Sequence, residues 1–254
     1  MLASGSKGNA LYVKGGGVAV LVDAGLSSRE LVARMRAAEI DPDSIHAVLL
    51  THDHADHYRG VGVFSRRYPV RLFANEGTAS GVEREVSPLG REWEIFETSA
   101  SFEVGGLTVE AFSVSHDASD PVGFVLDDGT ARLCVVTDLG QATPLVRFKL
   151  AACDAAVVES NHDYDMLMGS QRAWTLKTRI AGRSGHLSNE DAADLVRSAL
   201  TERLRALFLA HLSEECNTPA LAFSTMSGML KRAGREDVRL EVASQSVTGA
   251  RYVF

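Results

Sequence analysis

The chain has 254 residues, enough for one α/β domain with a sizeable core, and its 45% hydrophobic and 23% charged residues fit a folded protein, not a disordered one. No apolar run approaches the roughly 18 residues a membrane helix needs, and a net charge of −7 argues against general attraction of the surface to nucleic acid. Met1-Leu2-Ala3-Ser4-Gly5-Ser6-Lys7 has none of the three parts of a secretory signal, and Cys134, Cys153 and Cys216 are widely spaced. The expectation is therefore a cytoplasmic protein that avoids membranes and keeps free thiols, Cys134 and Cys153 being small core fillers.

Residues 10–14 and 18–22 are apolar and β-rich on either side of Gly15-Gly16-Gly17, which predicts a hairpin. Ser27, with Glu30 three residues on, opens a helix over 29–38 that Asp41-Pro42 ends. Residues 47–51 read as a short buried strand running into a histidine-rich segment. No element is assigned between that segment and residue 101. Residues 101–136 alternate apolar and polar in four short runs and predict more sheet. Helices are then expected near 142–150, 190–204 and 219–233, and strands at 155–159, 206–210 and 238–243. The stretch 161–187 has no clean period, as functional loops often do not. A sheet-rich half followed by a βαβ-like half, with no Pro/Ser-rich linker, predicts a single α/β domain over 1–254.

The chemistry is concentrated in Thr51-His52-Asp53-His54-Ala55-Asp56-His57. A His-x-His pair on a turning segment can aim two imidazoles at one ion, and the Asp-His pair after it faces a second. Imidazole and carboxylate together suit zinc, manganese or iron and disfavour calcium. His116, Asp138, His162 and His211 each follow a predicted strand, where side chains of α/β proteins line ligand crevices. His46, at the far end of its strand, reads as a surface residue.

His-x-His-x-Asp-His, an isolated His, Thr-Asp and Ala-His-Leu-Ser, in that order, resemble the metallo-β-lactamase fold across essentially the whole chain. The resemblance implies an αβ/βα sandwich: two mixed sheets face to face, helices outside and metals at one edge. It also implies a ligand set. His52, His54 and His116 would hold one divalent ion, Asp56, His57 and His211 a second, and Asp138 would bridge them. His162 falls outside that pattern and reads equally as an outer partner of the site or as structural.

Ser4-Gly5-Ser6-Lys7-Gly8-Asn9, Glu159-Ser160-Asn161-His162-Asp163, Leu176-Lys177-Thr178-Arg179-Ile180, Gly185-His186-Leu187-Ser188-Asn189 and Leu209-Ala210-His211-Leu212-Ser213 together are similar to the YycJ/WalJ-type bacterial nucleases. That similarity implies a 5′-to-3′ DNA exonuclease, DNA favoured over RNA, with manganese or zinc as the metal and a bridging hydroxide as nucleophile. Two departures fall in expected substrate loops: Ser170-Gln171-Arg172-Ala173 replaces a Gly-Pro-Tyr-Pro-like turn, and Cys216 stands where Asn is usual. Arg172, Lys177, Arg179 and Arg183 form a basic stretch suited to phosphates despite the acidic total. Ser6 and Asn9 belong to a Gly/Ser segment whose backbone N–H groups suit an anion. No run of exposed aromatics suited to base stacking is evident. Gly-His-Leu-Ser at 185–188 is similar to an element of the fold's tRNA 3′-processing ribonucleases, which casts His186 as the group at the scissile phosphate, Glu159 as its acidic partner and Asp56 as a further catalytic carboxylate. Ser188 would cap the helix from 190.

The alternative function is hydrolysis of a small ester, thioester or lactone on the same dinuclear site, but a neutral ester has no need of four cations. A flavo-diiron redox enzyme would want a carboxylate at His54 and an attached flavin domain. A non-catalytic binding module should have lost ligands from the set. A β-lactam substrate is disfavoured for want of an export signal.

Overall fold

The computed structural model describes residues 1–86, 89, 91–249 and 251–254. Its N-terminal half opens with β1 (Leu11–Gly15) and β2 (Val18–Val22), paired antiparallel so that Gly15 faces Val18. The turn is therefore the two residues Gly16-Gly17, not all three glycines. Both have positive φ, +56° and +77°, the pairing that matches strand twist in tight hairpins and that side chains resist. Helix α1 (Ser28–Ala37) starts on Ser27, whose Oγ accepts the Glu30 N–H at 3.3 Å. Strand β3 (Ala47–Leu49) then leads to two short helices, α2 (Ala55–Tyr58) and α3 (Val61–Arg67). Strand β4 (Arg71–Ala74), helix α4 (Glu76–Glu85) and strand β5 (Trp93–Ile95) complete this half. The five strands form one mixed sheet in the order β1-β2-β3-β4-β5, parallel from β2 onward. Elements α3 to β5 fall in the stretch left unassigned from sequence: α3, β4 and β5 are short, and the buried face of the ten-residue α4 is Thr78, Ala79, Gly81 and Val82, too weakly apolar to show a period.

The C-terminal half begins with an antiparallel meander of β6 (Ser101–Val104), β7 (Leu107–Ser113), β8 (Val122–Asp127) and β9 (Arg132–Val136). Helix α5 (Pro144–Ala151) and strand β10 (Ala155–Glu159) follow. Next come α6 (Tyr164–Gly169) and α7 (Trp174–Ile180), then α8 (Asn189–Ala199), β11 (Ala206–Ala210), α9 (Pro219–Arg232) and β12 (Arg239–Val242). The second mixed sheet has seven strands, β12-β11-β10-β9-β8-β7-β6, parallel from β9 to β12. Two expectations need correction. Residues 161–187 contain two short helices, too brief for periodicity to register. Helix α8 stops at Ala199, five residues early, and Leu204 turns into the core.

Alternation along the strands sorts apolar residues into three layers. Val20, Val22, Leu49, Val109, Phe124 and Val157 meet between the sheets. Leu21 and Val48 face outward onto α1, α3 and α4, while Val158 and Leu209 face outward onto α5, α8 and α9. Strands buried on both faces must be apolar throughout, which is why VAVLV and AAVV are continuous runs. Each fully buried Leu, Val or Phe contributes roughly 1.5–3 kcal/mol. The architecture is the expected αβ/βα sandwich. Cys134 and Cys153 fill the outer C-terminal layer, and Cys216 packs with Leu167 and Ile180 under α6 and α7. No helix among the described residues is long and apolar enough to cross a membrane.

Candidate metal centre

The C-terminal ends of β2, β3, β9, β10 and β11 and the β7–β8 loop all open on one edge of the sandwich. Backbone from Leu50 to His54 leaves β3, and α2 then turns Asp56 and His57 inward. Gly25 lets the β2–α1 loop pass beneath: a Cβ there would lie 1.5 Å from the Asp56 carbonyl oxygen. Asp23, Asp138 and His211, at the ends of β2, β9 and β11, have φ of 62°, 56° and 56°. Left-handed backbone at three non-glycine residues around one cleft is strain held by the surrounding fold, as at functional sites.

Four overlapping groups of donor atoms result among the described residues, Asp138 belonging to two of them, with His52 and His57 and with Glu159, His186 and His211; the remaining two are the expected ligand sets. His52, His54 and His116 form one, with His116 Nε2 3.3 Å from His54 Nδ1. Asp56, His57 and His211 form the other, with His211 Nε2 3.4 Å from Asp56 Oδ2. Asp138 lies between them. Its Oδ2 is 3.3 Å from His57 Nε2, and its Oδ1 is 3.8 Å from His116 Nε2 and 3.4 Å from His211 Nδ1.

Outer partners set the ring orientations. Asp23 Oδ2 accepts a hydrogen bond from His57 Nδ1 at 2.7 Å and is itself held by Thr51, whose N–H and hydroxyl both donate to Asp23 Oδ1. His116 Nδ1 meets the Gly185 carbonyl at 3.0 Å. Glu159, fully buried, has Oε1 at 2.9 Å from His211 Nδ1 and 2.8 Å from His186 Nδ1, while Oε2 accepts the Leu139 and Leu187 N–H groups. Such carboxylate–histidine pairs fix the tautomer that leaves the other nitrogen free for a metal.

The electrostatics match. Burial disfavours charge on His57, yet the Asp138 and Asp23 carboxylates overcome it and push the imidazole well above its ordinary range. His211 is likewise opposed by burial but raised to about 10 by Asp138, Asp56 and Glu159. Glu159, despite burial, is held down to about 2 by His186 and His211. Burial dominates at His52 and drives it well below its usual value. Buried His52 Nε2 and Asp138 Oδ2 have no hydrogen-bond partner among the described residues, a cost of about 1–3 kcal/mol each that a metal would remove. Histidine nitrogens and carboxylate oxygens in two groups suit divalent transition metals.

Beside the donors lies a cavity of about 250 Å³, lined by Ser6, Asp117, Arg172, Arg179 and His186 among others. A larger one, about 360 Å³, opens at the opposite edge near His46 and Arg71, far from the donor groups, so its size says nothing about the chemistry.

Of the predicted basic stretch, Arg172 and Arg179 line the cavity, paired with Glu215 at 2.9 Å and Asp117 at 2.5 Å. Lys177 does not. It is 8% exposed, and its Nζ donates to the Met168 and Ser170 carbonyls, both at 2.6 Å, tying α7 to the end of α6. Arg183 is exposed and outside the cavity lining. Ser6 lines the cavity, but Asn9 is buried beneath it: its Oδ1 accepts the Gly5 N–H, and its Nδ2 lies 3.0 Å from His57 Nε2. The expected backbone nest is largely spent internally, since the N–H groups of Gly5, Lys7, Gly8 and Asn9 bond to Asn9, Gln245, Gly5 and Asp56. His162 is buried outside the donor groups, bridging through its backbone to Ser188, and Ser188 caps α8. Sequence reasoning passed over Asp23, although the rule that flagged Asp138, a polar residue ending a buried strand, would have found it. Asp53, whose carboxylate ties this loop to Ser119 of the β7–β8 loop, carries no such signal.

Residues 19–211 match the β-lactamase superfamily domain, and the chain belongs to that superfamily as a metallo-β-lactamase-fold hydrolase. The fold recurs in YhfI of Bacillus subtilis, with a TM-score of 0.73 at 13% identity over 96% of this chain and 95% of that one. Over 235 residues the sequence is 36% identical to exodeoxyribonuclease YycJ of Bacillus anthracis, covering 92% of this chain and 89% of the relative. It is 37% identical over 237 residues to exodeoxyribonuclease WalJ of Streptococcus pneumoniae, covering 92% and 88%. The chain belongs to the YycJ/WalJ family.

Proposed function

We propose that this chain is a two-metal phosphodiesterase acting on DNA as a 5′-to-3′ exonuclease, with residues 1–254 forming one catalytic domain. The observation that carries the reading is the His186–Glu159 pair, set beside both donor groups in a cavity flanked by Arg172 and Arg179. His52, His54 and His116 would hold one ion, Asp56, His57 and His211 the other, with Asp138 between them; manganese or zinc suits these donors, and iron also fits. When bound, such ions supply an activated water and neutralise charge on a phosphodiester.

The side chains do the rest. With Nδ1 engaged by Glu159, His186 keeps Nε2 for the substrate, and burial is outweighed by the Glu159 carboxylate, which raises its pKa and favours the protonated ring. A protonated imidazole can bind the scissile phosphate and donate a proton to the departing sugar oxygen, a poor leaving group. Arg172 and Arg179 would orient the phosphates. The relatives' names supply the choice of DNA and of exonucleolytic action, and the family resemblance supplies polarity.

The test is to load the protein with manganese or zinc and incubate it with DNA labelled at the 5′ or 3′ end, with RNA, and with a panel of esters and lactones. Stepwise release of nucleotides from 5′ ends is expected. Rapid lactone opening with nucleic acids left intact would overturn the reading.

A further inference from the structure

We propose that residues 4–9 form a positioning clamp for the second ion, with Ser4 and Asn9 as its working residues, so that this segment sets the affinity of that one site. The inference rests on the two-metal reading and adds to it what holds one of the two ligand sets in place. The segment bonds to all three residues of that set. Ser4 Oγ accepts the His211 N–H at 2.7 Å. The Asn9 N–H donates to the Asp56 carbonyl at 2.8 Å, and Asn9 Nδ2 lies 3.4 Å from Asp56 Oδ2 and 3.0 Å from His57 Nε2. Among the described residues, none of the segment's hydrogen bonds reaches His52, His54 or His116; outside their own set, His52 and His116 are met by Thr51 and Gly185.

The bonds cross the sandwich. Asp56 and His57 sit on α2 beside the five-stranded sheet, whereas His211 follows β11 of the seven-stranded one. One short segment tied to both sides fixes their spacing before a cation arrives, which lowers the ordering cost of binding. Ser4 and Asn9 are 2% and 5% exposed, so water competes little for these bonds. The Asn9 amide is oriented from behind: its Oδ1 accepts the Gly5 N–H at 2.8 Å, which turns Nδ2 toward the ligands. An amide NH2 donates and does not ligate a cation, so Asn9 is a positioning residue. His57 Nε2 has a single lone pair, and a cation there leaves the amide to Asp56. The segment is braced in turn. Gln245 Oε1 accepts the Lys7 N–H at 2.7 Å, and Gln245 Nε2 donates to the Gly8 carbonyl at 3.0 Å. Arg34 donates to the Gln245 and Leu2 carbonyls at 2.7 and 3.0 Å. A Gly/Ser stretch that would be flexible alone is thereby held on both sides.

The test is a stepwise titration of metal-free protein with cobalt, whose visible absorption reports each site, against a competing chelator. His54→Ala and His211→Ala supply the reference spectra for loss of the first and the second site. Ser4→Ala and Asn9→Ala should each weaken one ion about 10–100-fold, the range for an outer partner, and leave the other unchanged. The absorption that weakens should match the one lost in His211→Ala. Gln245→Ala, which removes only the brace, should weaken the same ion by a smaller factor. Equal weakening of both ions, unchanged affinity for both, or a loss matching His54→Ala overturns the clamp. If the two buried variants fail to fold, Gln245→Ala decides, and unchanged affinity there overturns it. An unaltered protein that binds a single ion faults the two-metal reading instead; the clamp then stands if Asn9→Ala weakens that ion and falls if it does not.

Discussion

The two sheets furnish their shares of the metal centre in different ways. The five-stranded sheet delivers His52, His54, Asp56 and His57 on one loop, within a single turn after β3, and steadies it mainly through Asp23. The seven-stranded sheet delivers His116, Asp138, His186 and His211 singly, from separate strand ends and loops. Two of those four need left-handed backbone, and Glu159 holds two of them at once. The contiguous share is set by local geometry. The dispersed share depends on register across four parallel strands, so an error anywhere in that sheet reaches the site. The supports therefore differ in reach: Asp23 holds one residue of the contiguous share, whereas Glu159 holds two of the dispersed share.

Asp138→Ala strikes where the two shares meet and should have the largest effect. We expect loss of at least one of two bound ions and a fall in activity beyond the about 10–100-fold typical of outer partners. Elemental analysis of purified protein checks it; full occupancy with normal turnover would break the assignment of Asp138 to both groups.

His186→Ala removes a group from the dispersed share that we propose touches substrate and leaves the metal to the other donors. DNA cleavage should fall about 10²–10⁴-fold with metal content intact. A p-nitrophenyl phosphodiester, whose leaving group departs without a proton, should keep much of its rate. Equal losses on both substrates would remove the acid role and leave phosphate binding or structure.

Asp23→Asn weakens the contiguous share through its outer partner alone. Metal affinity should drop about 10–100-fold, measured by competition with a chelator. Glu159→Gln in parallel should cost more, since it loosens His211 and His186 together. Comparable losses in the two variants would erase the contrast between the sheets.

The smallest effects separate two cations of α7. Arg179→Ala should reduce the dependence of DNA binding on salt by about one unit of slope. Lys177→Met should leave that slope unchanged and lower thermal stability by about 1–3 kcal/mol, because carbonyls at the end of α6 lose their donor. A changed slope in Lys177→Met would return Lys177 to the phosphate-binding face.

Much of this was legible from sequence. Strands 155–159 and 206–210 are continuous apolar runs because both faces are buried, and their ends coincide with the structure. Capping residues announced α1 and α8. The histidine loop and the strand-end residues were found because donors at strand termini have few other reasons to cluster. What periodicity could not reach are α3, β4, β5, α6 and α7, which span too few residues for a repeat to show, and α4, whose buried face of Thr78, Ala79, Gly81 and Val82 is weakly apolar.

By itself, then, the sequence determined the layered α/β plan and the family and pointed to the candidate donor residues, since these follow from burial patterns and from residue chemistry at fixed spacing. Only the tertiary structure decided which polar groups serve the site and which serve the fold. Lys177 and Arg179 are two positions apart on one helix, yet one is drawn inward by free carbonyls at the end of α6 and the other lies beside Asp117 over the cavity. Asp23 lies 34 residues from His57 and touches it. Such pairings arise when separate segments pack, so the direction of a side chain is a property of its neighbours in space.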